Sequence, residues 1–457
     1  MDRSQLAFAG AARQAELIRA GEVSSRELVE LYLERIERID PQLNAYRVVL
    51  AERALAEADQ ADARRGANED RPLLGVPIAL KDNMDIAGEV TTQGTAAHGG
   101  PAGEDAELVR RLRGAGAVIL GKTNLPELAI MGATESANYG ITRNPWNLDR
   151  TPAGSSGGSG AAVAAGLAAA ATASDGMGSI RNPAACCNLV GLKPQRDRIP
   201  LAPLPEHWHG LSVLGFNTRT VADTALLVDL TADGLERALT EAAAAAPGRL
   251  RVALSAKPPL PVRSARKQVR RALEDMGSTM RALGHEVFER DPDYGQAGNP
   301  TLVRYLRGMC DEGRGMAHPE RLQRRTRGFV RLGGLIPQAV LRRAIDSEAG
   351  YHERMNRIFS DADVVVTPVM TTLPPRAEEW EGMGALRTLI GMAEVFPYAG
   401  VWNMTGQPAC AVPAGLSQDG LPIGMQLVGR PGDEATLISL AAQLEAELGW
   451  PQQRPPL

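Results

Sequence analysis

Residues 152–160 read PAGSSGGSG, residues 161–171 read AAVAAGLAAAA, and residues 174–183 read SDGMGSIRNP. The first segment is a glycine–serine turn of the kind that opens a helix. The second is dominated by alanine, the strongest helix former, and predicts a helix over Ala161–Ala171. The third is a polar glycine turn. Upstream, Val76–Leu80 (VPIAL) is a short apolar run that predicts a buried strand, with Lys81-Asp82-Asn83 at its C-terminal end. Glu104–Ala115 predicts a helix, and Ala117–Leu120 predicts another buried strand. Strand and helix patterns alternating in this way predict an α/β layer fold.

The flanks extend the pattern. Ser24-x-x-Glu27 has the form of a capping box. It opens a helix with apolar residues at Leu28, Leu31, Tyr32, Ile36 and Ile39, which Pro41 is expected to end. A polar, alanine-rich helix is expected over Ala51–Arg65. Residues 233–250 read as a helix and a linker ending at Pro247-Gly248, and Leu250–Leu254 as a strand. Residues 264–360 are arginine-rich and largely helical in pattern. Asp363–Thr367, Ala409–Pro413 and Gly424–Val428 predict strands, and Ala435–Glu447 a closing helix. Strands on both sides of a helical stretch predict one domain over 1–457, with a helical excursion at 264–360 and a C-terminal part over 361–457. No fixed-period repeat or low-complexity linker interrupts it.

Composition narrows the function. In 457 residues, 44% are hydrophobic and 23% charged, close to globular usage, and the formal net charge is −4. No basic field points to nucleic acid. The N-terminal stretch lacks the cationic and apolar regions of a signal peptide, and the longest apolar run, Ala161–Ala171, is too short to span a bilayer. The cysteines are Cys186, Cys187, Cys310 and Cys410, without a CxxC pair. They read as reduced thiols, so a cytoplasmic location and neither a disulfide framework nor a zinc site is expected.

Two motif matches conflict with their own context. Gly116-Ala-Val-Ile-Leu-Gly121-Lys122-Thr123 fits the phosphate-loop pattern of an ATPase, but its four central residues have strand character and cannot wrap a phosphate. Gly154–Gly158 contains G-x-S-x-G centred on Ser156, but the preceding residues make a poor strand for a nucleophile elbow. No histidine stands in a distinctive context, and His207-x-His209 lacks further ligands for a metal. A hydrolase without a histidine base needs another. The chain has only five lysines, and Lys81 follows a buried strand, where desolvation would favour the neutral amine. Serine hydroxyls in GSSGGSG could relay a proton, and the glycines of DGMGSIR could present N–H donors to an oxyanion.

The stretches GVPIALKDN (75–83), PAGSSGGSG (152–160) and SDGMGSIRNPAACCNLVGLKP (174–194) resemble the amidase signature family. Residues 121–124 (GKTN), 144–147 (NPWN), 218–223 (TRTVAD) and 420–424 (GLPIG) extend the resemblance, which is weakest over 240–360, so the helical excursion at 264–360 is expected to cover the site and shape substrate choice. The resemblance implies an α/β/α fold with a central mixed sheet and a signature core at about 66–230. It implies an amidase with Ser179 as nucleophile, Ser155 as bridging serine after a cis peptide bond, and Lys81 as neutral base. The oxyanion hole would use backbone N–H groups of Gly176, Met177, Gly178 and Ser179, with Ser156, Asp175 and Arg181 bracing the turn. No metal or cofactor is implied.

The family usually reads Thr-Asp-x-Gly-Gly-Ser before its nucleophile. Here Met177 replaces a glycine, so it would be strained if that position needs positive φ, and it would reshape the acyl pocket. The resemblance leaves open amides, esters and carbamates (urethanes). A glutamine-hydrolysing subunit of a tRNA-dependent amidotransferase is the alternative, but residues 396–406 are apolar and aromatic and favour an apolar acyl or aryl pocket. Met131, Trp208, Tyr398 and Trp402 are the pocket candidates. The expected partner is a small amide-type molecule, with neither nucleic acid nor membrane, and a homodimer is compatible with the sequence.

Overall fold

The computed structural model describes residues 2–204, 206–235 and 237–457. In chain order the strands are β1 (Tyr46–Val49), β2 (Pro77–Lys81), β3 (Val118–Thr123), β4 (Glu135–Ser136), β5 (Gly140–Ile141), β6 (Ala170–Asp175) and β7 (Gly191–Lys193). They continue with β8 (Val213–Asn217), β9 (Arg251–Leu254), β10 (Glu286–Glu289), β11 (Val364–Pro368), β12 (Ala409–Leu416) and β13 (Pro422–Val428). One sheet has the order β1-β3-β2-β6-β8 and a second the order β10-β9-β11-β13-β12-β7, while β4 and β5 form a small hairpin. Val190 and Thr218, just outside β7 and β8, exchange N–H···O bonds of 2.9 and 3.1 Å and stitch the two large sheets together. Parallel and antiparallel pairs coexist, so the fold is a mixed α/β sheet flanked by helices, as expected.

β2 lies between β3 and β6 and is parallel to both. Its five residues are all buried, which is why VPIAL shows no alternation: a parallel strand covered on both faces needs apolar residues on both. The three parallel strands finish at one edge, bringing Lys81, Thr123 and Asp175 together. Ligands of open α/β sheets gather at such carboxyl edges. Backbone pairing of β2 with β6 covers Ile78–Ala170 and Ala79–Ala171. At Lys81 the amide instead donates to Thr172 Oγ1 at 2.9 Å. The strands therefore part just where the polar side chains begin.

The alanine run differs from its expectation. A fully buried helix spans Gly157–Ala164 and stops there; Gly166, at φ +66°, turns the chain, and Ala170–Asp175 becomes a central strand. Alanine's propensity for helix is worth tenths of a kcal/mol per residue, less than a strand's ladder bonds and burial between two others. The helix Ser25–Leu43, preceded by shorter helices at Arg3–Ala7 and Gly10–Ala20, has the predicted capping box but runs through Pro41 to Asn44, a left-handed cap. Pro41 leaves the Glu37 carbonyl without its helical donor, which is tolerable because Glu37 is exposed to water.

Ala51–Gly66 is helical as expected. In 233–250 the helix is confined to Ala238–Ala243, and Glu236 lies outside the described residues. The 264–360 stretch is mostly helical, and its strand β10 pairs in parallel with β9 and so belongs to the second sheet. No helix among the described residues is long and apolar enough to cross a membrane.

Candidate active site

Lys81 is wholly buried at the end of β2. Its Nζ lies 2.7 Å from Ser155 Oγ and 2.9 Å from Ser174 Oγ, and Asn83 Nδ2 donates to the same Ser174 hydroxyl at 3.1 Å. Burial pulls the Lys81 pKa down to about 7, against a smaller upward pull from Asp175 and Glu312. A neutral amine is therefore populated near neutrality. The Gly154–Ser155 peptide bond is cis. Ser156 braces β6: its hydroxyl accepts the Ser174 N–H and donates to the Ser174 carbonyl, both at 3.3 Å. Ser174 had no signal in the sequence beyond its place in the turn motif; only the side-by-side strands bring it to Lys81.

The turn after β6 carries Ser179. It is held by Asp175, whose carboxylate accepts N–H groups from Gly178 (2.6 Å) and Ile180 (3.1 Å). Arg181 grips both carboxylate oxygens at 3.0 Å, through Nε and Nη2. Burial alone would raise the Asp175 pKa, but the Arg181 guanidinium overrides it and holds the carboxyl well below its usual range. Arg181 also donates to Gln426 Oε1 (2.9 Å) and Asn403 Oδ1 (2.6 Å), and Asn403 Nδ2 donates back to Asp175 Oδ1 at 2.8 Å. Asn403 and Gln426 are distant in sequence, and no motif assigns either of them a part in this turn.

Two expectations about this turn need correction. The Gly178 N–H, expected to serve an oxyanion, is taken by Asp175, which leaves Gly176, Met177 and Ser179 as the expected donors. The left-handed position is Gly178, at φ +112°, and not Met177, so the methionine carries no such strain.

Ser179 opens onto a cavity of about 330 Å³. Gly154, Met177, Met131 and Trp208 line it. The helix Gly298–Gly315 contributes Thr301, Leu302 and Tyr305, and the helix Ala385–Val395 contributes Leu386, Leu389, Ile390 and Met392. The latter helix lies outside the 264–360 stretch expected to shape the site. Leu386 and Ile390 are 59% and 54% exposed and make an apolar rim.

Tyr398 and Trp402, both expected in the pocket, are core residues instead. Tyr398 is buried and donates its hydroxyl to Ala256 O at 2.8 Å. Trp402 packs edge-on against Tyr294 with ring centroids 6.0 Å apart. The short helix Gly400–Met404 turns Gly400 and Val401 to the cavity and so points Trp402 elsewhere, about 100° further round per residue.

The phosphate-loop match folds as the buried strand β3, not as a loop around a phosphate. Its Lys122 pairs with Asp82 at 2.8 Å, a buried ion pair that Arg47 and Thr92 also serve. Burial lowers the Lys122 pKa, partly offset by Asp82. His207 Nδ1 meets Ser212 Oγ at 2.7 Å, and His209 Nε2 lies 3.1 Å from Asp311. Among the described residues no group of three or more histidine, cysteine or acidic side chains is placed to hold a metal.

Comparison with known proteins matches this arrangement. A family model described as Amidase covers residues 27–438. A Mycobacterium tuberculosis protein whose name, amidase AmiB2, is itself provisional is 53% identical, over 100% of this chain and 99% of its own. The 6-aminohexanoate-cyclic-dimer hydrolase of Paenarthrobacter ureafaciens is 32% identical over 98% of this chain and 96% of its own. Among structures, a 6-aminohexanoate cyclic dimer hydrolase complexed with substrate superposes with a TM-score of 0.87 at 31% identity, covering 98% of this chain and 99% of that one. A bacterial aryl acylamidase of the amidase signature family superposes with a TM-score of 0.87 at 25% identity, over 98% and 99% of the two chains.

Proposed function

This chain belongs to the amidase family and is an amidohydrolase; on that premise we propose that it hydrolyses amides with an apolar acyl or aryl side through an acyl-enzyme on Ser179. Neutral Lys81 takes the Ser155 proton while Ser155 takes the Ser179 proton, and Ser179 Oγ attacks the carbonyl carbon. Backbone N–H groups of Gly176, Met177 and Ser179 meet the oxyanion. The proton returns from Lys81 through Ser155 to the leaving nitrogen as the C–N bond breaks. Water then attacks the acyl ester by the same relay, releasing the acid and restoring Ser179.

The observation that carries this reading is the buried Lys81 amine, 2.7 Å from Ser155 Oγ, beside a cavity that Gly154 and Ser179 both line. The cavity wall favours the substrate class: no acidic or basic side chain lines it among the described residues, so nothing there would hold the charged ends of free glutamine. Relatives named for a 6-aminohexanoate cyclic dimer and for aryl acylamides agree with an apolar amide. Esters and carbamates present the same carbonyl to the same serine.

A panel of p-nitroanilides, esters and carbamates with graded acyl groups tests the reading. Turnover is expected without ATP or a partner chain, rising with chain length among simple aliphatic acyl groups. Inactivity on the whole panel would overturn it, and ammonia release from glutamine only with a second subunit would favour the amidotransferase reading.

A further inference from the structure

Among the described residues, the cavity beside Ser179 is apolar except for five side chains with hydrogen-bonding atoms: Ser179, Asn182, Trp208, Thr301 and Tyr305. Three of them are already satisfied. Trp208 Nε1 donates to Glu312 at 2.6 Å, Thr301 Oγ1 to Ala297 O at 2.7 Å, and Tyr305 Oη to Ile130 O at 2.6 Å. Ser179 has its role in the chemistry. That leaves Asn182, three residues after the nucleophile and 3% exposed, whose Oδ1 is buried without a partner.

A buried carboxamide oxygen with no donor costs about as much as a lost hydrogen bond, and of the six such oxygens among the described residues that of Asn182 alone belongs to a residue lining this cavity. Its place is specific. A Cβ at Gly178 would come within 2.9 Å of both Oδ1 and Nδ2 of Asn182, so the carboxamide lies against the nucleophile turn, where Gly178 leaves room for it. The two ends of a carboxamide exchange by a half-turn about its last torsion, so the group can offer an acceptor or a donor.

We infer that Asn182 is a substrate-binding residue that pairs with a second amide group of the substrate, carried on an apolar spacer next to the scissile carbonyl. The inference rests on the amidase reading above and narrows it from apolar amides to diamides. An amide presents both N–H and C=O, the complement of a carboxamide. In an otherwise apolar cavity such a group is bound only where that complement exists, whereas a purely aliphatic acyl group leaves Asn182 unsatisfied.

The test uses chain-matched p-nitroanilides. N-acetylglycyl and N-acetyl-β-alanyl anilides are compared with pentanoyl and hexanoyl anilides, on the wild-type enzyme and on Asn182→Leu. The wild type is expected to favour one of the two diamides over its aliphatic match by about tenfold or more in kcat/KM. Asn182→Leu is expected to lose that preference or reverse it, read as the ratio of kcat/KM between each diamide and its aliphatic match. The wild-type preference does not depend on the variant folding. Equal kcat/KM for both kinds of anilide on the wild type would overturn the role of Asn182 and leave the amidase reading standing. An equal loss on all four anilides in a folded Asn182→Leu protein would also overturn it, since that marks a structural role. Failure of the wild type on every anilide, with Ser179 inert to a fluorophosphonate, would instead bring down the reading of Ser179 as nucleophile.

Discussion

Lys81 Nζ and Ser155 Oγ lie 2.7 Å apart with both residues buried, one at the end of a parallel strand and the other in the turn before a buried helix. Among the described residues no acidic side chain bonds this amine, whose close neighbours are hydroxyls. Replacing Lys81 with Ala should lower kcat by about 10²–10⁴-fold, the usual share of a positioned acid–base group. Ser179→Ala should lower it at least as far, and the double variant little further, because the two act as a unit. Steady-state kinetics on a p-nitroanilide check this; additive losses would count against a shared relay.

The acid limb of the pH profile should belong to Lys81. Its pKa is pushed down to about 7 by burial, so below that pH the amine is protonated and cannot accept the Ser155 proton. kcat/KM should therefore fall about tenfold per unit below pH 7 and level off above it. A limb that persists unchanged in Lys81→Ala would assign it to another group.

Asp175 and Arg181 form an ion pair with no solvent access to either side chain. Arg181→Met should destabilise the protein by about 3–5 kcal/mol, because it strands a buried carboxylate that also holds the nucleophile turn. Urea unfolding measures the loss. Adding Asp175→Asn to Arg181→Met should recover part of it, since the unpaired charge is gone.

Met177 sits against Gly400. A Cβ at 400 would come within 2.6 Å of Met177 Cε and 2.7 Å of Sδ, so Gly400→Ala must displace the thioether, and both residues line the cavity. Gly400→Ala should lower kcat/KM for the longest acyl chains about tenfold relative to acetyl, the order expected for crowding a pocket by a methyl or methylene. Met177→Ala in the same background should restore the long chains. A panel of acyl anilides reads both effects.

Sequence patterns reached those parts of the fold that neighbours in the chain decide. The Ser24–Glu27 capping box formed as read because cap and partner sit in one turn. VPIAL formed a buried strand because five apolar residues before a polar triplet have few alternatives. The alanine run misled, since Ala170 and Ala171 answer to β2 and β8 across the sheet and not to local propensity. Trp402 misled for a similar reason: hydrophobicity marks burial but not which side of a five-residue helix meets a cavity.

The sequence by itself determined the α/β alternation and the family, and put Lys81, Ser155 and Ser179 in view as candidates, because motif residues lie within short, contiguous stretches. Tertiary structure alone decided which atoms meet. It set Ser174 beside the Lys81 amine, gave the Gly178 N–H to Asp175, walled the cavity with a helix from residues 385–395, and left the Asn182 oxygen buried without a partner. Hydrogen bonds and desolvation act over a few ångströms between residues tens to hundreds of positions apart, and strand pairing and helix packing set those separations.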